Sequence, residues 1–222
     1  MIRGVILDYD GVIVDSFENQ FNAWKYTCEI NNKKFPYASL DELRKDYEEP
    51  FTNMYEKFGF NWERDKGFLV KQYKEFTDQN QDNIPLFKGI DKVINTLHNQ
   101  EFKLGIVTQN LSQIVIPKLN KFSLYECFNH IITAENKVKI KPDPDGLLTC
   151  ILALEIEPNQ AVYVGDLPSD VVTAIAAGTG SISHLNGYST LEKFKELSEE
   201  EFNYTTFVEN VEEILSIVMG SK

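Results

Sequence analysis

The stretch VILDYDGV at residues 5–12 places two aspartates directly after a short apolar run. Further short apolar runs, each followed by a polar residue, occur at 104–107, 131–132, 162–165 and 181–183. The segments between the later runs are long enough for one helix each. Buried apolar strands that alternate with helices are typical of a parallel sheet covered on both faces. We therefore predict an α/β fold with a doubly wound parallel sheet.

The segment between the first two predicted strands is unusually long. It comprises residues 9–103, whereas a crossover between parallel strands needs only a dozen or so residues. We predict an inserted helical subdomain over residues 16–85 and a core made of residues 1–15 and 86–222. Asp15 with Glu18 resembles a capping box at the start of the first inserted helix. The helical spacing of Phe17, Phe21 and Trp24 favours a helix-bundle core over a cofactor site.

Composition limits the class of protein. The chain has 222 residues, with 22 Lys and Arg against 34 Asp and Glu, and a formal net charge of −12. Such a charge disfavours binding to nucleic acid, whereas a few lysines and a metal ion would still admit a small anionic substrate. No apolar run reaches the ~20 residues of a membrane span, and the N-terminus does not resemble a signal peptide. We expect a soluble, cytoplasmic protein without a nucleic-acid or membrane partner, as a monomer or a homodimer.

Several common motifs are absent from the sequence. The segments around Gly11 and Gly146 do not place calcium ligands at the first and last positions of an EF-hand loop. The sequence has no GxxxxGK[ST] phosphate loop, no complete dinucleotide fingerprint and no HExxH motif. The three cysteines are too few and too scattered for a disulfide framework. His98, His130 and His184 are far apart in the sequence and none belongs to an HExxH motif, so a zinc hydrolase and a serine triad are disfavoured.

The first candidate site is the pair Asp8 and Asp10. Side chains two residues apart on an extended segment point to the same side, so both carboxylates can face one crevice. Their repulsion raises the pKa of one of them unless a cation intervenes. Such a pair suits a nucleophile beside an acid/base, with a metal that keeps the first carboxylate ionised. The alternative is a strand-end turn, in which Asp and Gly are common.

A second acidic pair follows the predicted strand at 162–165. Asp166 lies at the strand end and Asp170 in the first turn of the next helix. Asp170 alone could serve the helix dipole, but carboxylates at neighbouring strand ends would be costly without a hard cation. Ligands that are all oxygen favour Mg²⁺.

Polar residues that could bind an anion complete the set. Lys141 is predicted in a loop after the third strand, where it could pair with a phosphoryl oxygen and with the nucleophile. Thr108 ends the second strand, and its hydroxyl could donate to the same group, with Gln109 and Asn110 beside it. The alternatives are a solvated surface lysine and an ordinary turn.

Together these motifs resemble the haloacid dehalogenase-like superfamily. The set consists of DxDGV at residues 8–12, a hydrophobic residue and Thr at 107–108, Lys-Pro at 141–142 and GDxxxD at 165–170. The resemblance implies a Rossmann-like core with a mobile helical cap, similar to that of phosphoglycolate phosphatase and β-phosphoglucomutase relatives. The second aspartate disfavours dehalogenation.

The resemblance also implies a role for each site residue. Asp8 would attack phosphorus, and Asp10 would protonate the leaving oxygen and then deprotonate the hydrolytic water. Thr108 and Lys141 would hold the phosphoryl group. Mg²⁺ would be bound by Asp8, the backbone carbonyl of Asp10, and Asp166, supported by Asp170.

The function expected from the resemblance is hydrolysis of a small phosphorylated metabolite, with Mg²⁺ as cofactor and an aspartyl-phosphate intermediate. A phosphomutase of the β-phosphoglucomutase type and a non-catalytic binding or regulatory relative are the alternatives. In the predicted cap, Glu48 and Glu49 stand where relatives carry a glycine, so the substrate does not follow from the resemblance. Arg44 and Lys45 are candidate anion contacts, although charged residues on an exposed helix more often face solvent.

Overall fold

The computed structural model describes residues 1–220, which contain a six-stranded parallel sheet. Its strands are β1 (Gly4–Leu7), β2 (Lys103–Val107), β3 (His130–Ile132), β4 (Ala161–Gly165), β5 (Gly180–His184) and β6 (Thr205–Val208). Their order across the sheet is β3-β2-β1-β4-β5-β6, and each neighbouring pair is parallel. This is the doubly wound order, in which ligands bind beyond the carboxyl ends of the strands where the order reverses. The predicted fold class is confirmed, and the reversal lies between β1 and β4.

Helices connect the strands and build the insertion. They are α1 (Phe17–Ile30), α2 (Leu40–Asp46), α3 (Thr52–Lys57), α4 (Trp62–Asn80), α5 (Ile90–Asn99), α6 (Ser112–Lys121), α7 (Asp145–Ala153), α8 (Pro168–Ala177), α9 (Leu191–Phe194), α10 (Glu199–Tyr204) and α11 (Glu213–Gly220). Short 3-10 turns occupy Gln81–Asn83, Tyr125–Cys127, Ala134–Asn136 and Pro158–Gln160.

The first of two compact units consists of Met1–Asp15 and the chain from Leu86 onwards. Every residue of β1 and β4 is buried, as expected for central parallel strands with both faces covered. Helices α7 and α8 pack against the sheet, where Ile6, Leu147 and Ala174 belong to one apolar cluster. The terminal helix α11 packs against α5.

The second compact unit is Ser16–Pro85. Helix α1 packs against α2 and α4, and α3 packs against α4. Trp24, which is fully buried, has edge contacts with Tyr55 and Phe58 at centroid distances of 6.4 and 5.6 Å. The helical spacing of Phe17, Phe21 and Trp24 in the sequence is thus explained, for Trp24, by aromatic packing in the core of this unit. The role of this unit as a cap stays a prediction.

Two sequence predictions about elements differ from the structure. The predicted capping box of Asp15 and Glu18 is wrong: the N-cap of α1 is Ser16, whose side chain makes no capping hydrogen bond. Ser16 already has helical backbone angles (φ −95°, ψ −2°), whereas capping by a side chain normally needs an extended N-cap residue. The sixth strand, β6, was not predicted.

Within residues 1–220, no helix combines the length and the apolar character that crossing a bilayer requires.

Candidate active site

Three buried carboxylates meet where the strand order reverses. Asp8 follows β1, Asp166 follows β4, and Asp170 lies in the first turn of α8. The register pairs Leu7 with Val164, so the two strands end side by side. One carboxylate oxygen from each aspartate lies within 4.8 Å of the others, and the three residues are only 6%, 1% and 2% exposed.

Lys141 bridges two of these carboxylates. Its Nζ donates to Asp8 Oδ2 at 2.5 Å and to Asp170 Oδ1 at 2.7 Å. Burial alone would lower the pKa of Lys141, but the charges of Asp170 and Asp8 outweigh it and hold the pKa well above its usual value. The lysine is therefore a fixed cation inside the cluster, and the prediction that it could pair with Asp8 is met geometrically.

The cluster carries more negative than positive charge. Burial raises the pKa of Asp8 to about 7; Lys141 opposes this shift and Asp170 adds to it. Burial, and then the charges of Asp170 and Asp8, raise the pKa of Asp166 well above its usual range. Three carboxylates against one ammonium leave an excess of anionic charge in a buried place, which costs free energy unless a further cation compensates it. The donors are all carboxylate oxygens, which fits a hard divalent cation such as Mg²⁺.

Backbone amides hold the second acidic pair in place. Asp170 Oδ2 accepts hydrogen bonds from the N–H groups of Asp166 and Leu167, both at 3.0 Å. Asp166 Oδ2 accepts from the N–H of Tyr188 at 2.6 Å, which comes from the loop after β5. Asp170, at the start of α8, thus does more than complement the helix dipole, because its carboxylate connects the end of β4 to the helix by hydrogen bonds.

A tight turn follows Asp8. Asp8 Oδ1 accepts from the N–H of Tyr9 at 2.7 Å, and the carbonyl of Tyr9 accepts from Ile13 and Val14 at 2.9 and 3.0 Å. Gly11 has φ +74°, and a Cβ at this position would lie 1.9 Å from Asp166 Oδ2. Both the left-handed backbone and the close approach require glycine, so the turn that carries Asp10 packs directly on Asp166. We call residues 8–14 the aspartate turn.

The loop after β2 approaches the aspartate turn. Asn110 Nδ2 donates to Asp10 Oδ2, and the N–H of Asn110 donates to Thr108 Oγ1 at 3.1 Å. Thr108 is buried, and because its oxygen accepts from Asn110, its own proton can be donated elsewhere. Gln109 lies in the same loop with an exposed side chain. The structure therefore places Thr108 and Asn110 at the site and leaves Gln109 at its surface.

The structure adds two residues that the sequence did not suggest. The hydroxyl of Tyr163, on β4, lies 3.3 Å from Lys141 Nζ and 3.2 Å from Asp170 Oδ1. Tyr188 contributes its backbone N–H to Asp166. A lone phenol within the apolar run at 162–165 was the available signal for Tyr163, whereas a backbone donor leaves no signal in the sequence.

Of the two cap residues considered as anion contacts, Arg44 is partly buried and Lys45 is exposed. The Arg44 guanidinium lies 4.7 Å from the centroid of the Phe17 ring and 3.7 Å from Asp41. Arg44 thus packs on its own unit, while Lys45 fits a solvated face.

The sequence is similar to those of known proteins. A family model described as haloacid dehalogenase-like hydrolase matches residues 5–184. The pyrophosphatase PpaX of Bacillus cereus (strain Q1) is 26% identical over 200 residues, which cover 87% of this chain and 89% of the relative.

Solved structures show the same fold. A predicted phosphoglycolate phosphatase from Haemophilus somnus 129pt superposes with a TM-score of 0.79 at 18% identity, over 97% of each chain. A haloacid dehalogenase-like family protein from Streptococcus pneumoniae gives a TM-score of 0.80 at 18% identity, over 97% of this chain and 98% of that one. The structures establish the fold, and the family model spans four ordered motifs from Asp8 to Asp170. The chain belongs to the haloacid dehalogenase-like hydrolase family.

Proposed function

We propose that this protein is a Mg²⁺-dependent phosphatase that hydrolyses a small phosphate monoester through a phosphorylated Asp8. The observation that carries the proposal is the buried cluster of Asp8, Asp166 and Asp170 with Lys141 between two of its members. Phosphoryl transfer depends chiefly on positioning and on compensation of charge, and this cluster supplies both.

Asp8 is the proposed nucleophile. Lys141 at 2.5 Å stabilises the ionised carboxylate against the effect of burial. The hydrogen bond from the Tyr9 N–H to Oδ1 fixes the orientation of the carboxylate. Attack of one carboxylate oxygen on phosphorus forms the aspartyl-phosphate as the bond to the leaving oxygen breaks.

Asp10 is the proposed acid/base. Its side chain lies on the turn next to Asp8, and Asn110 orients one of its oxygens. Asp10 donates a proton to the leaving oxygen and later takes one from the water that hydrolyses the intermediate. Asn110 therefore acts on Asp10 in this proposal, in addition to the predicted contact with substrate.

Lys141 and Thr108 are proposed to hold the phosphoryl group. The Lys141 ammonium is already at the nucleophile, and the Thr108 hydroxyl has a proton to donate. Gln109, which is exposed, is left as a contact to the outer part of a substrate.

Asp8, Asp166 and the backbone carbonyl of Asp10 would hold Mg²⁺, with Asp170 as an additional oxygen donor. When bound, the ion supplies positive charge against the phosphoryl oxygens and keeps Asp8 ionised. The excess anionic charge of the buried cluster supports this assignment.

The substrate is proposed to be a small phosphorylated metabolite, free in the cytoplasm. Relatives are named pyrophosphatase and phosphoglycolate phosphatase, so both diphosphate and phosphoglycolate belong among the compounds to be tested. The three free cysteines fit a reducing compartment.

The test is release of inorganic phosphate from phosphoglycolate, sugar phosphates and diphosphate, with Mg²⁺ and with a chelator. We expect turnover that the chelator abolishes and that Asp8→Asn lowers by about 10⁴-fold or more. Retained turnover in Asp8→Asn would contradict the nucleophile. If no compound releases phosphate but a sugar phosphate is isomerised, the protein is a phosphomutase. If neither reaction occurs, the non-catalytic alternative gains support.

A further inference from the structure

His184 is a buried histidine outside the proposed catalytic set. It is the last residue of β5 and is 1% exposed. Its Nδ1 lies 2.8 Å from the carbonyl oxygen of Gly11. Because a carbonyl can only accept, the hydrogen bond to Gly11 requires the proton on Nδ1. The backbone of Glu209 also interacts with the ring.

One aromatic ring packs against the imidazole. The ring of Phe87 meets it edge-on at a centroid distance of 4.7 Å and an angle of 87°. The N–H of Phe87 in turn donates to the carbonyl of Ile13 at 3.0 Å. His184 and Phe87 therefore contact the aspartate turn at two separate points, one by a side chain and one by the backbone.

The contact at Gly11 reaches the acidic cluster through packing. Gly11 lies so close to Asp166 that a Cβ would collide with its carboxylate. Four residues beyond His184, the N–H of Tyr188 holds the same carboxylate at 2.6 Å. The segment from His184 to Tyr188 thus makes two contacts with the site. His184 binds the turn that carries Asp10, and Tyr188 binds Asp166.

We propose that His184 is a positioning residue, whose Nδ1–H holds Gly11 and thereby fixes Asp8 and Asp10 relative to Asp166. A merely space-filling residue at the end of β5 would pack against Phe87 equally well but would leave the Gly11 carbonyl without this donor. The structural part of the proposal stands on the contacts alone, whereas its effect on turnover rests on the proposed function.

The experiment compares three variants in the full-length protein. His184→Asn keeps an N–H donor near the position of Nδ1, and His184→Leu removes it at similar volume. Phe87→Leu is the matched control, because it disturbs the packing around the ring and keeps the hydrogen bond. Amide hydrogen exchange is followed over residues 8–14, where Gly11, Ile13 and Val14 donate protected backbone hydrogen bonds. Steady-state kinetics are measured with the best ester of the panel.

We expect faster exchange in the aspartate turn of His184→Leu than in the wild type, and a fall in kcat of about 10- to 100-fold with little change in KM. In His184→Asn, the slow exchange of the aspartate turn and most of the wild-type kcat should be retained. Phe87→Leu should lower the melting temperature but leave kcat close to that of the wild type.

Three results would overturn the proposal: wild-type exchange and kcat in His184→Leu, an equal loss of kcat in Phe87→Leu, or an unprotonated Nδ1 in the ¹⁵N NMR spectrum of the wild type. The NMR measurement on the wild type decides the structural part even if His184→Leu fails to fold, and the exchange measurement decides it even if the wild type hydrolyses no ester. An inactive wild type would contradict the proposed function, while a loosened turn in the variants would still support the positioning role.

Discussion

Tyr9 and Tyr163 both bury a phenol close to the aspartates, but their hydroxyls differ in hydrogen bonding. The Tyr163 hydroxyl accepts from Lys141 and donates to Asp170, whereas that of Tyr9 has no hydrogen-bond partner among residues 1–220. We expect Tyr163→Phe to lower the free energy of unfolding by about 1–2 kcal/mol and to reduce kcat. Tyr9→Phe should leave stability unchanged or raise it. Urea unfolding of both variants measures the difference. Both substitutions keep the ring, so equal losses would contradict a stabilising role of the Tyr163 hydrogen bonds.

At Asp10 the expected effect is on rate and not on stability. Asp10→Asn removes the proposed proton donor, and general acid/base catalysis contributes about 10²- to 10⁴-fold. The loss should be largest for an ester with a poor leaving group and smaller for an aryl phosphate, whose leaving oxygen needs no proton. The rate of phosphoenzyme formation with each class of ester measures this, because the later hydrolysis of the intermediate is common to both classes. A uniform loss for both would argue against the acid role.

The aspartates of the site could be predicted from the sequence, whereas the contacts of Tyr163 and His184 could not. Asp8, Asp166 and Asp170 follow predicted strands, so their meeting is a consequence of parallel topology. The hydrogen bonds of the Tyr163 hydroxyl and the hydrogen bond of His184 to Gly11 join residues that are far apart in the chain. No local pattern encodes such contacts, so the sequence alone places Tyr163 within a predicted strand and His184 directly after one.

At the scale of elements, helix α8 ends in a left-handed glycine. Gly178 has φ +74°, and the nearest atom to an added Cβ would be Pro158 Cβ at 3.8 Å, so a side chain has room. Gly178→Ala should therefore cost about 1–2 kcal/mol of stability through the backbone alone, and Gly178→Asn should cost less because asparagine tolerates this conformation better. Thermal unfolding of both variants tests this. Equal costs would point to a steric cause.

The elements predicted most successfully were the buried strands, since β1, β2 and β4 are continuous apolar runs. Strand β6 was missed because Thr205–Val208 is a short edge strand with two threonines, of which only the first is buried. The Thr205 side chain pairs with β5 through hydroxyl groups: Thr205 Oγ1 lies 2.9 Å from both Ser181 Oγ and Ser183 Oγ. Polar pairing of this kind does not give the apolar signal on which strand prediction relies.

At the scale of the whole molecule, buried thiols report separately on the two compact units. Cys28 lies in the second unit and Cys150 in the first, and both are fully buried. Burial raises the pKa of both thiols to about 12. Relative to an ordinary thiol, this leaves roughly 10³-fold less of the reactive thiolate.

We therefore expect slow alkylation of the native protein at pH 8 and reaction of all three cysteines after denaturation. In low urea, Cys28 should react before Cys150, because the smaller unit buries a smaller core. Mass spectrometry of labelled peptides gives both rates. Equal rates over a range of urea concentrations would show instead that the two units unfold together.

The two ends of the insertion leave the first unit side by side. Val14 and Leu86 form an antiparallel β-bridge, and the Phe87 N–H donates to the Ile13 carbonyl. Residues 16–85 thus enter and leave the first unit at one closed point, and we expect the register of the strands not to depend on this segment. We expect a chimaera that exchanges residues 16–85 for the corresponding segment of a relative to keep the fold of the first unit, because the bridge that closes the loop lies outside the exchanged segment.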